Sequence, residues 1–298
     1  MRMKLCMTVL LAWLVFCGST VAAVVPRIEV NPDGKGLKLL VFERSDHHRN
    51  YVDRGKILGD LYFNYLVDNK TYSVKLSDLQ SEILENTAGK IQIFWQLPAG
   101  VRLYQTFTVS GEEIEWDIEF FNRSHHTVNI LDMCLTVPIG AIDESVQACQ
   151  NLNRHFSLNG NSSFLYWIPY TGQGDILLMS MKKGTAMEYA TWDGKYYLHA
   201  TNVVDRASDT WRIPSTSKTV APYQRYLTGF NFTVAKDHTD LRGKLYDKGN
   251  VLVKVAPGMV VTPEMEVYCA LQTQLPVEQL TVECPEQIKV ANIGKTKD

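Results

Sequence analysis

Residues 101–120 read VRLYQTFTVSGEEIEWDIEF, and their pattern decides the fold. In an extended chain Val101, Leu103, Phe107 and Val109 share one side, while Arg102, Tyr104, Thr106 and Thr108 share the other. After the Ser110-Gly111 turn, Ile114, Trp116, Ile118 and Phe120 alternate with Glu115, Asp117 and Glu119. Period-two alternation on both sides of a turn dipeptide is the signature of an antiparallel hairpin with one buried and one wet face.

The same period recurs outward from this hairpin. Upstream, IQIFWQL sets Ile91, Ile93, Trp95 and Leu97 against Gln92 and Gln96. Downstream, VNILDMCLTVP, DILLMSM, GFNFTVA, NVLVKVAPG and EMEVYCALQT all read as strands. Helical periodicity is confined to two short segments. One is capped by Asp237 or Thr239, runs through Leu241, Leu245 and Tyr246, and stops at Gly249. The other covers residues 79–84. Many short strands separated by Gly, Pro and Asn turns predict an all-β protein, a large antiparallel β-sandwich with one or two short helices. Pro138-Ile139-Gly140 reads as a seam within one domain spanning residues 24–298.

The N-terminus reads as an export signal. Arg2 and Lys4 precede an apolar run over residues 5–16, and small residues follow at Gly18, Ser19, Ala22 and Ala23. That run falls short of the roughly 20 residues a membrane-spanning helix needs. Val21 and Ala23 suit cleavage before Val24, and the bulky Phe16 before Cys17 disfavours lipidation. The expected mature chain is secreted or periplasmic, with no membrane span.

Composition excludes some partners. The chain is 45% hydrophobic and 21% charged with a net charge of −2, so no basic excess exists to attract nucleic acid. Its 14 Tyr, 11 Phe and 6 Trp suit a β-rich protein and equally a carbohydrate binder. Cys134, Cys149, Cys269 and Cys284 remain after cleavage, and their pairing is open between disulfides and buried thiols. No zinc spacing, phosphate loop, GxSxG elbow or nucleotide fingerprint occurs, so no metal and no cofactor are expected. Adjacent histidines at His47-His48 and His125-His126 point to opposite faces of a strand and do not chelate one ion as pairs.

Several stretches resemble a known domain. TFTVSGEEIEWDIEFFNRS followed by VNILDMCLTVPIG is similar to the supersandwich (galactose-mutarotase-like) β domain at the N-terminus of many carbohydrate-active enzymes. RHFSLNGNSSFLYWIPYTGQGDILLMSMKKGTAMEY and GFNFTVAKDHTDLRGKLYDKGNVLVKVAPGMVVTPEMEVYCALQT resemble a family of secreted bacterial glycosidase-like proteins without an assigned reaction. The resemblance covers most of residues 27–290. It implies a carbohydrate-associated sandwich that in its relatives precedes an α/α-barrel catalytic module. Here the sequence ends at Asp298, just past LTVECPEQIKVANIG. The resemblance therefore implies a free-standing sandwich, or a truncated relative whose catalytic module is lost or encoded separately.

The candidate site residues cluster around SSFLYWIPYTGQGD, residues 162–175. Rings crowd a strand end broken by Pro169, Gly172 and Gly174, where loops place ligand contacts on a rigid sheet. Trp167, Tyr170 and Trp192 are the candidate glycan-stacking surface, with Arg154, His155 and Asp175 as polar partners. Tyr196, Tyr197 and Trp211 add rings nearby. The competing reading makes Trp167 part of the core, since aromatics of this size bury about 150–250 Å² each. Asp175 and Glu188 are the weak candidates for a catalytic carboxylate pair, which would have to face each other across a glycosidic bond. Glu113, Glu115, Asp117 and Glu119 read as a solvated strand face.

Three functions follow from these readings. The first is an exported glycan-binding module, non-catalytic on its own, with a polysaccharide and a separately encoded catalytic module as partners. The second is a glycoside hydrolase, or part of one, and the third a structural envelope interaction protein. The export reading is checked directly by mass spectrometry of secreted material. The mature chain is expected to start at Val24 or within a few residues of it, and an intact Met1 or an acylated Cys17 would contradict that.

Overall fold

In the computed structural model the described residues are 23–43, 49–140, 151–191, 193–202, 216–258, 260–279, 281, 286–289 and 294. The export segment through residue 22, His47, His48, Cys149, Trp192, Trp211 and Cys284 lie outside them.

Two antiparallel sheets form the body. The larger has eight strands in the order β10 (Leu152–Ser157), β11 (Phe164–Pro169), β12 (Ile176–Met181), β16 (Arg225–Ala235), β8 (Glu113–Asn122), β7 (Val101–Ser110), β6 (Lys90–Gln96) and β5 (Ser81–Asn86). The smaller runs β13 (Tyr189–Ala190), β14 (Lys195–Ala200), β9 (Val128–Thr136), β3 (Leu61–Val67) and β4 (Lys70–Lys75), with β15 (Lys218–Val220) also on β9. Two ribbons complete the strands, β1 (Val25–Val30) with β2 (Leu37–Glu43) and β17 (Leu252–Ala256) with β18 (Tyr268–Gln272).

The hairpin expected over residues 101–120 is β7–β8, paired without slippage from Val101↔Asn122 to Ser110↔Glu113. Its inward residues, Leu103, Phe107, Trp116, Ile118 and Phe120 among them, are fully buried. They join Phe63 and Tyr65 of the smaller sheet in one core cluster. Gln105 holds an inward position as well, and it is completely buried. Its Nε2 donates to the Gly59 carbonyl at 2.8 Å, and its Oε1 accepts from Trp116 Nε1 at 2.9 Å. A buried amide costs little only when its hydrogen bonds are made, and these two tie the large sheet to the segment entering β3.

Helix α1 (His238–Asp247) lies on the far side of the large sheet. Asp237 is its cap, with its carboxylate accepting from the Asp240 amide at 2.8 Å. Gly249, at φ +79°, ends it. Leu241 and Leu245 are buried against Ile176, Leu178 and Leu252 in a second, smaller core.

The helix expected over residues 79–84 does not form. A 3₁₀ turn over Leu76–Asp78 leads into the edge strand β5 instead. So short a helix bears the full nucleation cost, whereas the open edge of β6 offers a ready backbone ladder. Cys269 also departs from expectation, since it is exposed on β18 rather than packed. Cys134 is a buried free thiol whose burial pushes its pKa up to about 12, which makes it unreactive.

Trp167 answers the question its surroundings raise. It points inward from β11 and is fully buried. The indole Nε1 donates to the Ile139 carbonyl at 2.9 Å. At Gly140 (φ +82°) a Cβ would stand 2.8 Å from Trp167 Cδ1, so only glycine lets this backbone lie on the ring. The Pro138–Gly140 seam is therefore a latch over a core tryptophan. Trp167→Ala is expected to lose about 3–5 kcal/mol of stability. Thermal and urea melts check this, and a variant as stable as wild type would contradict it.

Candidate carbohydrate-binding face

The sequence-derived candidates are divided by the sheet. Arg154 pairs with Trp167 across β10–β11, and His155 pairs with Tyr166. Adjacent residues on a strand face opposite ways. The Arg154 guanidinium stands 5.7 Å from the Tyr196 ring centre, beside Gly194 in the β13–β14 turn. His155 stacks on Tyr166 at 4.9 Å on the opposite face. Tyr170 is 42% exposed, in the turn after β11. Trp167 offers no face to a ligand, because burial and the latch enclose it. The surface expected from Trp167, Tyr170 and Trp192 is thus reduced to Tyr170 among the described residues.

Asp175 and Glu188 are both half-buried and stand apart. Asp175 immediately precedes β12, beyond the Pro169 end of β11. Glu188 follows Met187, whose amide donates to Gly160 near the Phe164 end. A six-residue strand separates them, roughly 20 Å at strand rise. That exceeds the separation of a catalytic pair in either glycosidase geometry.

A different constellation is built on the outer face of the large sheet. Register sets its wet residues in rows across the strands. One row is Phe94, Tyr104, Glu119 and Leu227, and the next is Gln92, Thr106, Asp117 and Gly229. With Lys90 and Arg225, most of these line an open hollow of about 510 Å³. The Phe94 and Tyr104 rings lie 5.2 Å apart, and Arg102 stands 5.7 Å over Phe94. Gln92 donates to Thr106 Oγ1 at 3.1 Å. Leu227 is 60% exposed beside them.

Charge on this face is organised by Lys182, the residue after β12. Its ammonium lies 2.6 Å from Glu115 and 2.7 Å from Asp117, although β16 runs between. Passage over β16 is open because Gly229 stands there. A Cβ on Gly229 would meet the Trp116 carbonyl at 2.5 Å and Lys182 Cδ at 3.1 Å. The hydrogen bond from Lys182 holds the Glu115 carboxyl below its ordinary range. Burial works against the Lys182 charge, but hydrogen bonds to Asp117 and Glu115 outweigh it and raise its pKa. Arg225 pairs with Glu119, and Lys248 with Glu113 at 2.9 Å. Carboxylates, guanidinium, amide and rings together can accept from sugar hydroxyls, donate to them and pack against sugar C–H surfaces. Among the described residues no group of His, Cys, Asp and Glu is arranged to hold a metal ion.

Sequence reasoning passed over this face because its acidic alternation looks like ordinary solvation. A usable signal was present in Phe94, Tyr104 and Phe121, aromatic residues at wet positions.

No protein-family model and no curated protein matches the sequence. Among solved structures, a polysaccharide lyase superposes with a TM-score of 0.61 at 14% identity, over 78% of this chain and 36% of that one. The chain thus spans about a third of the lyase, and the likeness establishes the sandwich fold. A galactose mutarotase related enzyme from Lactobacillus acidophilus matches at TM-score 0.44 and 9% identity, over 73% of this chain and 98% of that one. A GH36 alpha-galactosidase from Geobacillus stearothermophilus matches at TM-score 0.42 and 11% identity, over 76% of this chain and 41% of that one. At the level of fold, the chain is an antiparallel β-sandwich like that of the polysaccharide lyase.

One titratable group lies inside the sandwich rather than on this face. His199 Nε2 meets Tyr226 Oη at 2.9 Å, while its buried Nδ1 has no hydrogen-bond partner among the described residues. Burial, with a smaller contribution from Lys218, lowers its pKa to about 4. The unfolded chain takes up this proton near the ordinary value of about 6.5. Between about pH 6.5 and 4 the unfolded state therefore binds more protons, and stability falls as pH drops through that window. Melting temperatures of wild type and His199→Gln check this. The variant is expected to show a shallower acid slope, and identical slopes would contradict the assignment.

Proposed function

We propose that this chain is an exported carbohydrate-binding module, non-catalytic on its own, that holds a glycan on the outer face of the large sheet. The observation that carries this reading is the hollow itself. The Tyr104 ring, an exposed leucine and ion-paired carboxylates converge there on rigid strands, the combination of apolar surface and oriented polar groups that binding sites use. The fold-level likeness to the polysaccharide lyase and the resemblance to glycosidase-associated sandwiches support it. The same resemblance supports one domain over residues 24–298 and export. Among the described residues no helix is long and apolar enough to cross a membrane.

A glycosidase reading has one observation in its favour. Asp117 and Glu119 share a face two residues apart, roughly 6.5–7 Å along the strand, within reach of an inverting pair. Asp117 and Glu119 are, however, each held in an ion pair, with Lys182 and Arg225 respectively. Such pairs serve better as fixed hydrogen-bond acceptors.

Binding of soluble polysaccharides by affinity electrophoresis and calorimetry tests the proposal. Tyr104→Ala and Glu119→Gln are each expected to weaken binding about tenfold or more, with melting temperatures near wild type. Arg154→Ala is expected to leave binding unchanged. Wild-type affinity in Tyr104→Ala, or loss confined to Arg154→Ala, would move the site elsewhere.

A further inference from the structure

The charge pattern of the hollow goes further and names a class of glycan, resting on the binding reading just given. The cations that line it are already matched. Lys90 lies 2.6 Å from Glu85, and Arg225 pairs with Glu119. Just beyond, Lys182 is shared by Glu115 and Asp117, and Lys248 is held by Glu113. Arg102, at the margin, stands over the Phe94 ring.

From this pairing we infer that the face selects uncharged glycans, polymers of neutral hexoses or pentoses, against uronate-bearing or sulfated ones. A sugar carboxylate or sulfate entering the hollow would have to take Arg225 from Glu119 or Lys182 from Asp117. The displaced carboxylate would then remain beside the incoming anion, a like-charge contact on a partly desolvated surface. Neutral hydroxyls meet no such conflict. They donate to the free lone pairs of Asp117 and Glu119 and accept from the guanidinium without breaking either pair. The Tyr104 ring and the Leu227 side chain add apolar area that is indifferent to ligand charge.

Salt provides an independent readout. Binding led by charge attraction weakens as ionic strength rises, whereas binding through hydroxyls and ring faces does not.

The test uses the full mature chain with galactomannan and xyloglucan as neutral probes and polygalacturonate and alginate as anionic ones, at 50 and 500 mM NaCl. At least one neutral probe is expected to bind, with affinity changing less than about twofold between the two salts, and neither anionic probe is expected to bind. In Glu119→Gln and in Asp117→Asn, where a cation is freed, polygalacturonate binding is expected to appear and to weaken with salt. Wild-type binding of polygalacturonate or alginate that falls with salt and is lost in Arg225→Gln would overturn the selectivity while leaving glycan binding intact. Neutral binding in wild type without any anionic binding in either carboxylate variant would overturn the ion-pair explanation. Failure of all four probes to bind would remove the binding reading and this inference with it.

Discussion

The organisation of the large sheet turns on one crossing, Lys182 passing over Gly229 to reach Glu115 and Asp117. β8 is a central strand and carries Glu113, Glu115, Asp117 and Glu119 on one face. Successive residues on a strand face lie roughly 6.5–7 Å apart, so four carboxylates in file repel one another. Cations reach them from three directions: Lys248 from beyond α1, Lys182 from the end of β12, and Arg225 from β16. The glycine is needed because β16 separates β8 from β12. Any side chain at position 229 would close the passage.

The two faces of this sheet divide the work. Inward, aromatic and aliphatic residues seal the core, and the buried Gln105 amide satisfies itself there against Gly59 and Trp116. Trp167 belongs to this side, fixed by the Ile139 carbonyl and covered by Gly140. Outward, the same period-two alternation delivers rings and charges to one hollow without disturbing the packing beneath. A substitution on the outer face therefore leaves the packing beneath it intact, and an inward one does not.

Much of the architecture was legible in the sequence. The β7–β8 alternation, the Ser110-Gly111 turn and the cap and stop of α1 rest on local chemistry that reads directly from residue order. The helix expected over residues 79–84 fails because a neighbouring strand edge, contributed from elsewhere in the chain, outcompetes a weak local tendency. The candidate site residues are divided for a related reason. Arg154, His155, Trp167 and Tyr170 are close in sequence, but strand parity sends Arg154 and Trp167 to one face and His155 and Tyr170's strand-mate Tyr166 to the other. The outer hollow joins β6, β7, β8 and β16, with Lys182 reaching in from β12, and only sheet order makes them neighbours. The pairing of Arg225 with Glu119 spans 106 positions, a distance no local pattern reveals.

Where a bound sugar lands tests the central claim most directly. Backbone amide shifts, followed by NMR as a neutral oligosaccharide is titrated into the labelled mature chain, locate it residue by residue. The account predicts perturbations centred on Tyr104, Thr106, Asp117, Glu119 and Leu227, with β10 and the β13–β14 turn unmoved. Shifts confined to Arg154, Gly194 and Tyr196, with the outer face silent, would contradict it.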